Sequence, residues 1–151
     1  MILRTITLLV VGVAVAAAVY VRLAPMDPDV WNVNPETTGR TGKPNDYLVG
    51  PGGDREAIET DVAPAELQRR LDDLLLAMPR TERLAEMPQE GLWTYVQRSA
   101  IMGFPDAITL RITPDGAGSR LVIWSRSRYG QSDLGVNAAR VRTLLEQAGL
   151  S

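Results

Sequence analysis

The feature that most constrains this chain is "TITLLVVGVAVAAAVYV", Thr5 to Val21, which is 17 residues without a charge. As a helix it rises roughly 25 Å, near the lower limit for crossing the hydrocarbon core of a bilayer. Carried on through Leu23 and Ala24, with Arg22 extending its charged end toward water, the run is long enough to span. Tyr20 then falls at the interface, where an amphipathic ring is favoured. The competing reading is a cleavable signal peptide, since Ala14-Val15-Ala16 and Ala16-Ala17-Ala18 both resemble the small-residue cleavage pattern. Residues 1–24 are therefore expected to be a transmembrane signal-anchor or signal segment. Both readings export the domain beyond the run, because Arg4 and the α-amino group favour a cytoplasmic N-terminus. The expected location is the bacterial inner membrane, single-pass, with the C-terminal domain in the periplasm.

Beyond this run the remaining residues suffice for one domain. Arg4 and Arg22 precede the first acid, Asp27, so the rest of the chain carries 14 of the 16 basic residues and all 18 acidic ones. That acidic balance argues against nucleic acid as a partner. The sequence has no cysteine and no histidine, which excludes thiolate nucleophiles, Cys/His zinc sites and imidazole bases. No metal or cofactor is expected, and no catalytic residue is assigned. The only lysine is Lys43; the other 15 basic residues are arginine.

Residues 25–45 form an extended Pro/Gly-rich linker, part of a stretch from Ala24 to Asp54 with five prolines and five glycines. Trp31 stands in it as a ring that docks in a groove of its own domain, or else meets the membrane surface or a partner. Residues 46–151 read as a folded domain. Short strands are expected over Asp46–Val49 and Ala57–Val62. A helix comes next, with Leu67, Leu71, Leu74, Leu75 and Met78 on one face, between Pro64 and Pro79. Arg80–Ala85 is a weak strand, and Leu92–Ser99, Ala107–Thr113 and Ser119–Arg128 are stronger ones, the last two joined by the turn "TPDGAGS". Val136–Ala148 is a second amphipathic helix ending at Gly149. Consecutive hairpins imply an α+β fold: an antiparallel sheet with two amphipathic helices on one face, behind a single N-terminal transmembrane helix.

Alternation sorts the last strand. Leu121, Ile123, Ser125, Ser127 and Tyr129 share one face; Val122, Trp124, Arg126 and Arg128 share the other. Both faces begin apolar and turn polar, the pattern of a buried strand ending at a rim. Arg98 lies near the end of another strand, so Arg98, Arg126 and Arg128 are candidate ligands for an anion, with Tyr129 beside them. Asp106 and Asp133 are the candidate counter-charges that would instead close the arginines into structural ion pairs. Ser132, Asp133 or Asn137 is expected to cap the last helix, whose N–H groups then form half of an anion site if Arg126 or Arg128 lies near. "IMGFPD" places Met102 and Phe104 in a shaped loop, or at an apolar tip that touches a membrane or partner. The paired Asp72-Asp73 falls on the presumed solvent side of its helix, and "GPGG" lacks the residues of a phosphate loop.

The segments "NDYLVGP", "TYVQRSAIMGFPD", "ITLRITP" and "SRSRYGQSDLGVNAARV" resemble the domain-of-unknown-function family 1499 over most of Asn45 to Leu150. The resemblance implies a small envelope-type domain behind a hydrophobic N-terminus, and it implies no activity or catalytic residue. The family pattern often carries histidine and aspartate where this chain has Asn32 and Asn34. The function expected is that of a membrane-anchored, non-enzymatic binding module for an anionic or amphipathic ligand such as a lipid. The alternative is an assembly subunit that docks another envelope protein through Trp31 and the "IMGF" loop.

Overall fold

A computed structural model describes residues 2–150. It begins with α1 (Ile2–Leu23), a helix with no buried residue that is long and apolar enough to cross a membrane. A single short turn of helix, α2 (Pro28–Trp31), comes next, started by Asp27, whose carboxylate accepts from Asp29 N at 3.0 Å. The sheet then builds from β1 (Asp46–Val49), β2 (Ile58–Thr60), β3 (Thr81–Met87), β4 (Leu92–Arg98), β5 (Pro105–Asp115) and β6 (Gly118–Ser127). Helix α3 (Pro64–Ala77) separates β2 from β3, and α4 (Val136–Ala148) closes the chain. The order across the sheet is β1-β6-β5-β4-β3, with β2 pairing further along the same edge of β6 as β1. Every strand pairing is antiparallel. The α+β architecture expected from the pattern is thus the one found.

Both helices lie on one face. Leu67, Leu71 and Leu75 of α3 and Val141, Leu144 and Leu145 of α4 are buried against Tyr95, Ile108, Leu110, Leu121 and Ile123. Within each strand these sheet residues lie on one face, as period-two alternation requires. Asp72, expected on the solvent side of α3, turns inward instead: its carboxylate accepts from the Tyr95 hydroxyl at 2.7 Å and pairs with Arg83 at 2.5 Å. Burial, and then this hydrogen bond to a carboxylate, hold the Tyr95 phenol above its ordinary range.

The opposite face carries neither α3 nor α4 and is covered by the chain between α1 and β1, which includes the short α2. Met26 and Trp31 pack on Val96 and Ala107, while Val33 packs with Leu48, Val122 and Trp124. The molecule therefore has three layers: helices, sheet and a strap of irregular chain. Strand β6 is sandwiched between the outer two, and it stays buried through Arg126. The strap thus covers its polar end as far as Arg126.

Candidate functional site

Strand parity fixes what faces the strap. Arg126, opposite Asp46 in the β1–β6 register, projects with Trp124 to the strap side. It is 8% exposed. Its guanidinium carbon lies 4.1 Å from the centre of the Trp124 ring and 5.2 Å from that of Trp31, so the planar cation sits between two indoles. Nη2 donates to the Trp31 carbonyl at 2.6 Å, and Nη1 donates to Thr109 Oγ1 at 3.1 Å. Thr109 is in turn 3.0 Å from Thr94 Oγ1, which donates to Asn32 Oδ1 at 2.8 Å. Among the described residues no carboxylate lies within ion-pair distance of Arg126. Asp46, the nearest acid in register, is instead paired with Arg40 at 2.6 Å and accepts from Trp124 Nε1 at 2.8 Å. Burial lowers the Arg126 pKa, with Asp46 opposing, to about 10, which leaves the group charged at neutral pH.

Arg128 and Arg98 reach the same strap. Arg128 donates to the Pro25 carbonyl and lies over the Tyr129 ring at 5.2 Å. Arg98 donates to the carbonyls of Ala24 at 2.9 Å, Arg22 at 3.3 Å and Gly103 at 3.4 Å. Farther along, Glu36 of the strap pairs with Arg111 at 2.7 Å and with Arg120. Arginines on the sheet thus hold the strap mainly by its backbone carbonyls.

Asp106 and Asp133 do not neutralise these arginines. Asp106 accepts from Arg140 Nη2 at 2.7 Å, a pair with side chains 11% and 8% exposed. Arg140 also donates to Gln97, Ser125 and Asn137. Asp133 caps α4, accepting from Asn137 N at 2.7 Å and Gly135 N at 3.1 Å. Burial alone would raise the Asp133 carboxyl, but these backbone N–H donors outweigh it and hold the group below the ordinary range. The N-terminus of α4 lies on the helix side of the sheet, whereas Arg126 and Arg128 lie on the strap side. The two halves of the expected anion site are therefore not brought together.

What does assemble is a cleft of about 250 Å³ between the strap and the end of β6. Its walls include Val30, Trp31, Val33 and Trp124 as apolar surfaces, and Lys43, Arg126 and Arg128 as cations. Asp46 also lines it, already paired with Arg40. Of the sequence candidates, Trp31, Arg126 and Arg128 line this cleft. Tyr129, Asp106, Asp133 and Phe104 line a second hollow on the helix side, also of about 250 Å³. The Tyr129 hydroxyl is buried there without a hydrogen-bond partner, and its ring lies 6.0 Å from Phe104. Arg98 and Met102 line neither. The sequence did not single out Arg140, whose partners come from four different elements or loops, nor Lys43 as a wall of the cleft. Among the described residues no group of three acids could hold a metal ion.

The family described as "Protein of unknown function (DUF1499)" matches residues 34–147. Among solved structures, protein MLL2253 from Mesorhizobium loti aligns at 14% identity with a TM-score of 0.50, covering 70% of this chain and 95% of that one. Protein CV1439 from Chromobacterium violaceum aligns at 13% identity with a TM-score of 0.37, covering 70% and 92%. No curated protein matches the chain.

Proposed function

The chain belongs to the DUF1499 family of proteins of unknown function, and from that premise we propose that it is a membrane-anchored binding module. Helix α1 is the uncleaved anchor, and the domain behind it faces the periplasm of a bacterial inner membrane. The cleft between strap and β6 takes an anionic amphiphile such as a lipid. The acidic head meets Arg128, Lys43 and the edge of Arg126, and the apolar part lies against Trp31, Trp124 and Val30. One observation carries this reading: Arg126 is a buried cation without an acidic partner, on the wall of an apolar cleft with two further cations and one acid already paired elsewhere. Burying an uncompensated charge is costly, and sites that do so are candidates for binding a counter-charge. Trp31 is used internally here, which favours this reading over an assembly subunit that docks through that ring.

The test uses two of the chain's three tryptophans as reporters, since Trp31 and Trp124 line the cleft. Full-length protein in phosphatidylcholine nanodiscs is titrated with dioctanoyl phosphatidic acid, dioctanoyl phosphatidylcholine or inorganic phosphate. The expected result is a saturable change in tryptophan emission with the anionic lipid, weakened at least tenfold in Lys43→Glu and Arg128→Glu. A response to phosphate alone would assign the site to a free anion, and no saturable response to any probe would overturn the proposal. Protease accessibility in spheroplasts checks the topology; a protected domain would refute export.

A further inference from the structure

Five of the eight large apolar side chains exposed beyond α1 among the described residues gather at one end of the molecule, the others being Val30, Leu76 and Met87. Ile101 is 85% exposed and Leu134 93%, with Val136, Met102 and Phe104 between 37% and 50%. These belong to the β4–β5 loop, the β6–α4 connection and the first residue of α4, which meet where Phe104, Leu134 and Val136 line the same hollow. Helix α1 ends at this place. Arg22 Nη1 donates to the Ile101 carbonyl at 3.0 Å, and a Cβ on Gly103 would lie 2.8 Å from Arg22 Cγ. Arg98 adds its bonds to the carbonyls of Arg22 and Gly103.

These contacts set the depth of the loop. Helix α1 has 22 residues, about 33 Å of rise, against a hydrocarbon core about 30 Å thick. Arg22 at its end then lies at the headgroup boundary, and a loop bonded directly to Arg22 lies at the same depth. We propose that this end of the domain is a bilayer-docking surface: Ile101, Met102 and Leu134 enter the boundary of the membrane that α1 spans. The exposed Arg22 and Arg80 meet anionic headgroups beside them. The proposal rests on the reading of α1 as an uncleaved span. A lipid surface is the occupant because the anchor itself fixes that surface beside the loop, and a patch larger than isolated apolar residues calls for a partner.

The absence of cysteine makes single-cysteine labelling clean. Full-length Ile101→Cys, Leu134→Cys, Val13→Cys and Met87→Cys, each carrying bimane, are reconstituted in phosphatidylcholine/phosphatidylglycerol vesicles with brominated acyl chains. Only variants whose unfolding midpoint matches the unsubstituted chain are scored. Val13 reports the span, and Met87 lies at the opposite end of the sheet, paired with Leu92. The expected result is quenching at least twofold at positions 13, 101 and 134, and none at 87. Quenching at 13 without quenching at 101 and 134 overturns the docking surface and leaves the anchor standing. No quenching at 13 overturns the anchor, and the docking with it. Equal quenching at 87 overturns the docking, and so does protection of 101 and 134 from aqueous iodide without lipid quenching, which would identify a protein partner.

Discussion

Arg126 is held by two rings, one carbonyl and one hydroxyl rather than by a carboxylate, and this makes its replacement costly in a particular way. Arg126→Ala removes the stacked cation and leaves the Trp31 carbonyl and Thr109 hydroxyl without their donor. The expected loss in chemical denaturation is about 2–4 kcal/mol, and Arg126→Lys, which lacks the planar fork, recovers only part of it. A double-mutant cycle with Trp31→Ala should show coupling of about 1 kcal/mol or more. On the helix side, Asp106→Asn leaves Arg140 buried without its counter-charge and should cost about 3 kcal/mol. Asp133 gives a pH signature. Its folded pKa lies below the unfolded value of about 3.9, so its contribution is present above that pH and is lost as pH falls through the folded value. Denaturation midpoints between pH 7 and pH 2.5 should therefore fall less steeply in Asp133→Asn than in the parent. Alternation placed Arg126 opposite Ser125 correctly from sequence alone. Its partner was not legible, because backbone carbonyls have no residue identity to read.

Among the elements, α3, α4 and the hairpins were legible to within a few residues, since period and turn chemistry are local. "TPDGAGS" closes the β5–β6 hairpin through Gly116, at φ +56°. Strand β3 was the weakest expectation. It is an edge strand carrying Glu82, Arg83 and Glu86 with little burial, so it lacks the alternation that marks half-buried strands. The strap was not legible as a layer, nor was its helical turn α2 expected, because its position depends on residues 62 to 103 places away. The β4–β5 loop joins it to the anchor. Gly103, at φ +70°, lies against Arg22 with no room for a side chain. Gly103→Ala should lower stability by about 1–2 kcal/mol through left-handed strain and should separate the loop from Arg22. Loss of lipid quenching at position 101 in that background is the measurement.

For the whole molecule, the strap decides where a soluble form can begin. A version starting at Asp46 leaves Leu48, Val96, Val122 and Trp124 without the cover that Met26, Trp31 and Val33 supply. It should elute as aggregates in size-exclusion chromatography, whereas a version starting at Ala24 should be monodisperse with a cooperative transition. Equal behaviour of the two would remove the strap from the fold. The same geometry sets an order of events during biosynthesis. Arg126 grips Trp31 across 95 positions and Arg128 grips Pro25 across 103. The strap is made before any strand of the sheet, yet the platform it lies on is finished only with β6. The strap therefore stays uncovered until β6 is made and can hold it. Seating the strap is then a late step of folding that waits on β6.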